Sequence, residues 1–111
     1  MNKNTTILYI DTTNSQQTVV ELRRDNRRYT FNELTGFANK SQNVLPLIEK
    51  ALRSQGWALK NITAIEINPG PGSFTGIRVG VSVANALGWA LGIPINGKKI
   101  ELPKYAESKF D

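Results

Sequence analysis

The sequence predicts one α/β lobe, a mixed sheet of three antiparallel strands plus one or two parallel strands carrying two main helices. Three observations lead there. Period-two apolar alternation runs into Asp25-Asn26 and resumes beyond it, the pattern of a hairpin. Two longer segments follow the helical period. The second of them lies between two short apolar runs and opens from a glycine-rich turn, the order of a parallel strand-helix-strand unit.

Residues 6–10 predict a first strand that ends at Asp11 and passes into the polar turn 12–16. Thr18, Val20 and Leu22 then alternate with Val19 and Glu21, and Tyr29 and Phe31 with Arg28 and Thr30. With Asp25 and Asn26 as a two-residue turn, Leu22 stands opposite Tyr29 and Val20 opposite Phe31, so both strands share an apolar face. Arg23, Arg24, Arg27 and Arg28 crowd the tip. They read as an exposed, solvated turn in preference to a phosphate-binding finger, since no aromatic is interleaved for base stacking.

Over residues 39–54, Val44, Leu47, Ile48, Ala51 and Leu52 fall on one arc and Gln42, Glu49, Lys50 and Arg53 on the other, an amphipathic helix. Pro46 requires it to start late or bend, and Gly56 is its expected stop. Residues 62–67 form a short strand, residues 74–91 the second helix and residues 93–95 a further strand. Through the second helix and its two flanks Gly72, Gly76, Gly80, Ala84, Gly88 and Gly92 recur every fourth position. An interior glycine costs about 0.8–1 kcal/mol against alanine, which close packing at Gly76, Gly80, Ala84 and Gly88 would offset. The expectation is a helix held between its own sheet and a second body. Arg78, Ser82, Asn85 and Trp89 make a narrow polar arc, and Arg78, Ser82 and Asn85 argue against a membrane span for residues 79–95. After Gly97 the chain turns polar, giving a lobe over 1–97 and a loosely docked tail over 98–111.

The 111 residues suffice for one core, and Lys and Arg outnumber Asp and Glu by 14 to 9, which suits a partner bearing phosphates or carboxylates. With neither cysteine nor histidine, disulfides, thiol nucleophiles, histidine bases and the usual zinc sites are excluded. The start of the chain carries no secretory or lipidation pattern, so the cytoplasm is the expected compartment. Gly70, Gly72 and Ser73 are a candidate anion loop at a helix N-terminus, although a P-loop lysine is missing. A nucleophilic role for Ser73 fails because Pro71 stands where a nucleophile elbow needs glycine, and no histidine can activate it. Asp11 and Glu66 would suit a metal-dependent nuclease only with a third acidic group. The preferred role of Asp11 is to cap the turn through Thr12 and Thr13.

Three stretches then carry a resemblance: Ile7-Leu8-Tyr9-Ile10-Asp11-Thr12-Thr13, Leu45-Pro46-Leu47-Ile48, and the run from Gly70-Pro71-Gly72-Ser73-Phe74-Thr75-Gly76 through Ile77-Arg78-Val79-Gly80. In this order, over residues 5–96, the chain resembles the TsaB (YeaZ) family. The resemblance implies an actin-like ATPase, or ribonuclease-H-like, lobe without catalysis of its own. It implies a scaffold in the threonylcarbamoyladenosine modification of tRNA, paired with a TsaD-like catalytic paralogue and joined by a TsaE-like ATPase. Homodimers are also implied, both pairings using the first two helices, with tRNA engaged indirectly. Arg78, Val81, Ser82, Asn85 and Trp89 are the expected contact surface. No cofactor is expected on this chain alone, with ATP and Mg at the level of the complex, and the first loop, residues 11–17, has neither the glycine nor the lysine of an active phosphate loop. Members usually continue into a second lobe, so this sequence reads as a short form. A small ribonuclease-H-like nuclease and a direct tRNA-binding module are the alternatives.

Overall fold

A computed structural model describes residues 5–34 and 40–104, with residues 40–42 known by backbone only. Strands β1 (Ile7–Asp11), β2 (Gln17–Arg24) and β3 (Arg27–Leu34) precede helix α1 (Lys40–Gln55), strand β4 (Ala64–Ile67) and helix α2 (Phe74–Leu91). The sheet order is β3-β2-β1-β4. β2 is antiparallel to both β1 and β3, and β4 runs parallel to β1. The hairpin has the expected register, Leu22 opposite Tyr29 and Val20 opposite Phe31. Asp25 and Asn26 both take positive φ, 53° and 66°, as a two-residue turn that follows the strand twist requires.

Alternation decides which sheet face is covered. Leu8, Ile10, Val20, Leu22, Ile65 and Ile67 are buried on one face and join Val44, Leu47, Ile48, Ala51, Ile77, Val81 and Ala84 of the helices in a single core. The opposite face carries Tyr9, Glu21, Arg23 and Glu66, tied by an Arg23 Nη1 to Glu66 Oε1 bond of 2.7 Å and a second ion pair from Arg23 to Glu21. The fold is therefore two layers, with both helices on one side of the sheet.

Helix α1 passes through Pro46 as one element. It ends at Gly56, whose φ is +73°. The Gly56 and Trp57 N–H groups donate to the Arg53 and Leu52 carbonyls, which closes the last turn as a Schellman motif. Helix α2 begins where expected, with the Ser73 side chain accepting from the Gly76 N–H.

Three expectations are corrected. Residues 93–95 make only one parallel bridge, Ile95 to Ile65, because Pro94 has no N–H with which to extend a ladder. The small residues of α2 are used by this chain itself. A Cβ at Gly76 would overlap the Thr12 carbonyl oxygen, one at Gly80 the Thr12 hydroxyl, and one at Gly88 would come within 2.8 Å of Ile95 Cγ1. No second body is needed to explain that stripe. Finally, the described part of the tail is docked. Lys104 N–H donates to the Pro69 carbonyl, and Asn85 exchanges two hydrogen bonds of 2.9 Å with the Glu101 backbone. Tail residues 105–111 lie outside the described residues.

Gly76→Ala should lower the stability of the isolated chain by about 1–3 kcal/mol, since the atom in the way is a backbone carbonyl that cannot rotate aside. Urea unfolding measures this. A loss no larger than that of Ala86→Gly on the exposed side of α2 would show that the approach is not tight.

Candidate functional site

At the C-terminal ends of β1 and β4, Asp11 is fully engaged by its own lobe. Its carboxylate accepts from the Thr13 N–H at 2.9 Å, the Thr13 hydroxyl at 2.6 Å, Asn68 Nδ2 at 3.2 Å and the Tyr9 hydroxyl at 3.2 Å. Burial raises the pKa of this group, but these donors outweigh it and hold Asp11 below the usual carboxylate value. Burial and then the Asp11 charge push Tyr9 upward. Asp11 therefore caps the turn through Thr13, as expected. Thr12 serves a different end, donating from its hydroxyl to the Gly76 carbonyl at 2.6 Å.

The candidate anion loop is similarly committed. The Gly70 N–H donates to Asn68 Oδ1, the Ser73 N–H to the Thr13 carbonyl, and the Gly76 N–H to Ser73 Oγ. A Cβ at Gly72 would come within 2.6 Å of Thr13 Cβ. The glycines here let the loop fold onto β1, and several donors an anion would need are already used. Glu66 is paired with Arg23 and does not join Asp11. No group of three or more potential metal-ligating side chains occurs among the described residues.

The outer side of α2 is different. Phe74 and Trp89 are 59% and 86% exposed. Arg78 and Ser82 are exposed between them, with the Arg78 guanidinium 5.7 Å from the Phe74 ring centroid. A shallow cavity of about 410 Å³ is lined by Thr75, Arg78, Val79, Ser82 and Val83. Two of the five expected contact residues lie elsewhere. Val81 is 4% exposed and belongs to the core, because its position on the helix turns it toward the sheet. Asn85 is held by Glu101. Phe74 was not singled out in the sequence, although its place four residues before Arg78 puts it on the same helical face.

The docked segment centres on Glu101, 3% exposed. Its carboxylate accepts from Asn96 Nδ2 at 2.6 Å, Lys98 Nζ at 3.2 Å and the Leu102 N–H at 3.0 Å. The Asn96 bond above all, against the opposing effect of burial, lowers its pKa from 4.5 to about 2. Asn96 also bridges to β4 through the Ile67 N–H and carbonyl. No described helix is long and apolar enough to cross a membrane.

A four-stranded mixed sheet with two helices on one face, and a glycine-rich turn leading from β4 into α2, defines one lobe of the actin-like, ribonuclease-H-like class. Residues 36–97 match the family described as TsaD, tRNA N6-adenosine threonylcarbamoyltransferase. The chain is 33% identical over 93 residues to the tRNA threonylcarbamoyladenosine biosynthesis protein TsaB of Haemophilus influenzae, and 36% identical over 93 residues to that of Bacillus subtilis. These alignments take in 84% and 82% of this chain but 39% of each relative. The chain thus spans about two fifths of the length of the curated relatives it matches. YeaZ from Pseudomonas aeruginosa superposes with a TM-score of 0.76 at 32% identity, covering 82% of this chain and 42% of that one. A reductive activator for a corrinoid, iron-sulfur protein shares the fold alone, with a TM-score of 0.53 at 15% identity. The chain belongs to the TsaB (YeaZ) family within this TsaD-related group.

Because the Glu101 pKa falls on folding, its contribution is fully present above about pH 4.5 and is lost as pH drops toward 2. Stability measured by denaturant titration should decline through that window. Glu101→Gln should lower stability at neutral pH and flatten this acid limb. An unchanged acid limb in the variant would refute the assignment.

Proposed function

We propose that this chain is a noncatalytic scaffold in the threonylcarbamoyladenosine modification of tRNA, pairing with a TsaD-like catalytic paralogue through the outer face of α2. The relatives named for this biosynthesis support the pathway. The observation that carries the scaffold role is the contrast between the two ends of the lobe. The carboxylate that could serve chemistry, Asp11, has its acceptor capacity taken by Thr13, Asn68 and Tyr9, whereas Phe74 and Trp89 are largely exposed near the two ends of the outer side of α2, with Arg78 between them. Exposed aromatics next to an arginine are the residue types that dominate protein interfaces.

In this reading the contact surface is Phe74, Arg78, Ser82 and Trp89, revised from the sequence expectation by removing Val81 and Asn85. The same face would serve a homodimer when the paralogue is absent. A TsaE-like ATPase joins the assembled pair, ATP and Mg act in that complex, and the compartment is the cytoplasm.

Co-purification with the TsaD-like paralogue of the same organism, followed by threonylcarbamoyl transfer to tRNA with and without this chain, tests the proposal. A stable complex and chain-dependent transfer are expected. Trp89→Glu combined with Arg78→Glu should weaken the complex by at least about 2 kcal/mol, the size of an interface hot spot, while the melting temperature changes little because both side chains are exposed. Undiminished assembly by this variant would remove α2 as the contact face, and absence of any complex or effect on transfer would overturn the function.

A further inference from the structure

We propose that the β2-β3 hairpin tip, together with the short 3-10 turn Leu59–Asn61 ahead of β4, binds the phosphodiester backbone of RNA. The choice of RNA among polyanions rests on the tRNA-modification reading, while the site itself rests on the following geometry.

The sequence offered four arginines and no aromatic among them, but folding supplies the aromatic from another element. The Arg24 guanidinium lies 3.9 Å from the Trp57 ring centroid, and Trp57 in turn meets Tyr29 edge-on at 5.8 Å. Arg24 Nε donates to Thr6 Oγ1 at 2.7 Å. Stacking and this bond fix the guanidinium plane, and its two terminal nitrogens have no acceptor among the described residues. An arginine held in that way is organised in advance for a phosphate.

Arg24 also joins two neighbouring open cavities. One, of about 440 Å³, is lined by Arg23, Arg27, Arg28 and Asn26 among others, and the second, of about 390 Å³, by Lys60, Asn61 and Thr63. Among the described residues the carboxylates facing the patch are Glu21, Glu66 and Asp25. Glu21 and Glu66 are taken by Arg23, with Arg28 Nε at 3.9 Å from Glu21 and 70% exposed. Asp25 sits in the turn itself and lines the first cavity. Arg24, Arg27, Arg28 and Lys60 therefore outnumber the carboxylates left to balance them. Asn26, Asn61 and Thr63 add neutral groups of the kind that contact phosphate oxygens and 2′-hydroxyls. The patch lies at the opposite end of the sheet from Asp11 and the glycine-rich loop, since Arg23 pairs with Ile7 at the start of β1.

The test is fluorescence anisotropy of a labelled tRNA transcript with the purified chain between 50 and 200 mM salt, comparing three variants with the unaltered protein. Arg27→Gln/Arg28→Gln should raise Kd about tenfold at the lower salt and make the logarithmic salt dependence shallower by about two. Lys60→Gln, on a separate element, should act in the same direction. Lys99→Gln/Lys104→Gln removes the same charge away from the tip, Lys99 beside the end of α2 and Lys104 beside Pro69, and should change Kd by less than about threefold. Absence of micromolar binding, or equal losses in both double variants, would overturn the site, the latter because only net charge would then matter. Failure of the paralogue complex and of transfer, with tip-dependent RNA binding intact, would overturn the tRNA-modification role alone.

Discussion

The close seating of α2 on the end of β1 is the constraint on which the rest of this lobe depends. Thr12 and Thr13 occupy the positions where side chains at 72, 76 and 80 would otherwise project, and they fill that space with hydrogen bonds. The Thr12 hydroxyl donates to the Gly76 carbonyl, and the Thr13 carbonyl receives the Ser73 N–H. Each bond is modest in isolation, about 1 kcal/mol net, but all are buried or half-buried and would leave costly unpaired groups if the helix moved away. The helical glycines are thus offset by contacts within one chain. Once α2 is fixed in this way, Ile77, Val81 and Ala84 meet the sheet, and the face bearing Phe74, Arg78 and Trp89 is directed outward.

A second set of polar contacts secures the far end of α2. Asn85 holds the Glu101 backbone from the helix and Asn96 its carboxylate from the chain beside β4, so this one residue links α2, the sheet and residues 98–104. A buried charge is tolerated because every approach to it is a donor: an amide, an ammonium and a backbone N–H. The same asymmetry separates the two sheet faces. The helix-covered face is apolar, while the open face is held by the Glu21-Arg23-Glu66 arrangement beneath the Tyr9 ring, with Arg23 5.3 Å from its centroid. Arg23 is consequently consumed by structure, whereas Arg24, one residue on, turns to Trp57 and remains open to a ligand.

These arrangements divide the lobe into a sealed end and two open surfaces. The sealed end is the one that in a nucleotide-handling protein would hold phosphate, and here its donors and its aspartate serve turn geometry. The open surfaces are the outer face of α2, aromatic with an arginine, and the hairpin tip, basic with polar amides. Their chemistry differs in the way that protein and nucleic-acid interfaces differ.

The sequence by itself determined the elements, because each was written in local physics. Period-two alternation placed the hairpin and its register, Asp25-Asn26 provided the two residues at positive φ, Gly56 ended α1 and Ser73 opened α2. Inward and outward positions on α2 were legible only in part: Val81 could not be separated from Arg78 and Ser82 by a resemblance alone, yet the sheet claims it. What tertiary structure alone decided was which distant groups meet. Helical spacing showed that small residues were required on α2 but could not reveal that Thr12, 64 residues from Gly76, was the body they admit. Polarity after Gly97 suggested a loose tail, whereas Glu101 finds Asn85 and Asn96. The arginine tip looked merely solvated until Trp57, just past the end of α1, came beneath Arg24. Local preferences act over a few residues, while burial and hydrogen-bond satisfaction pair groups by position in space, and only the folded chain fixes that.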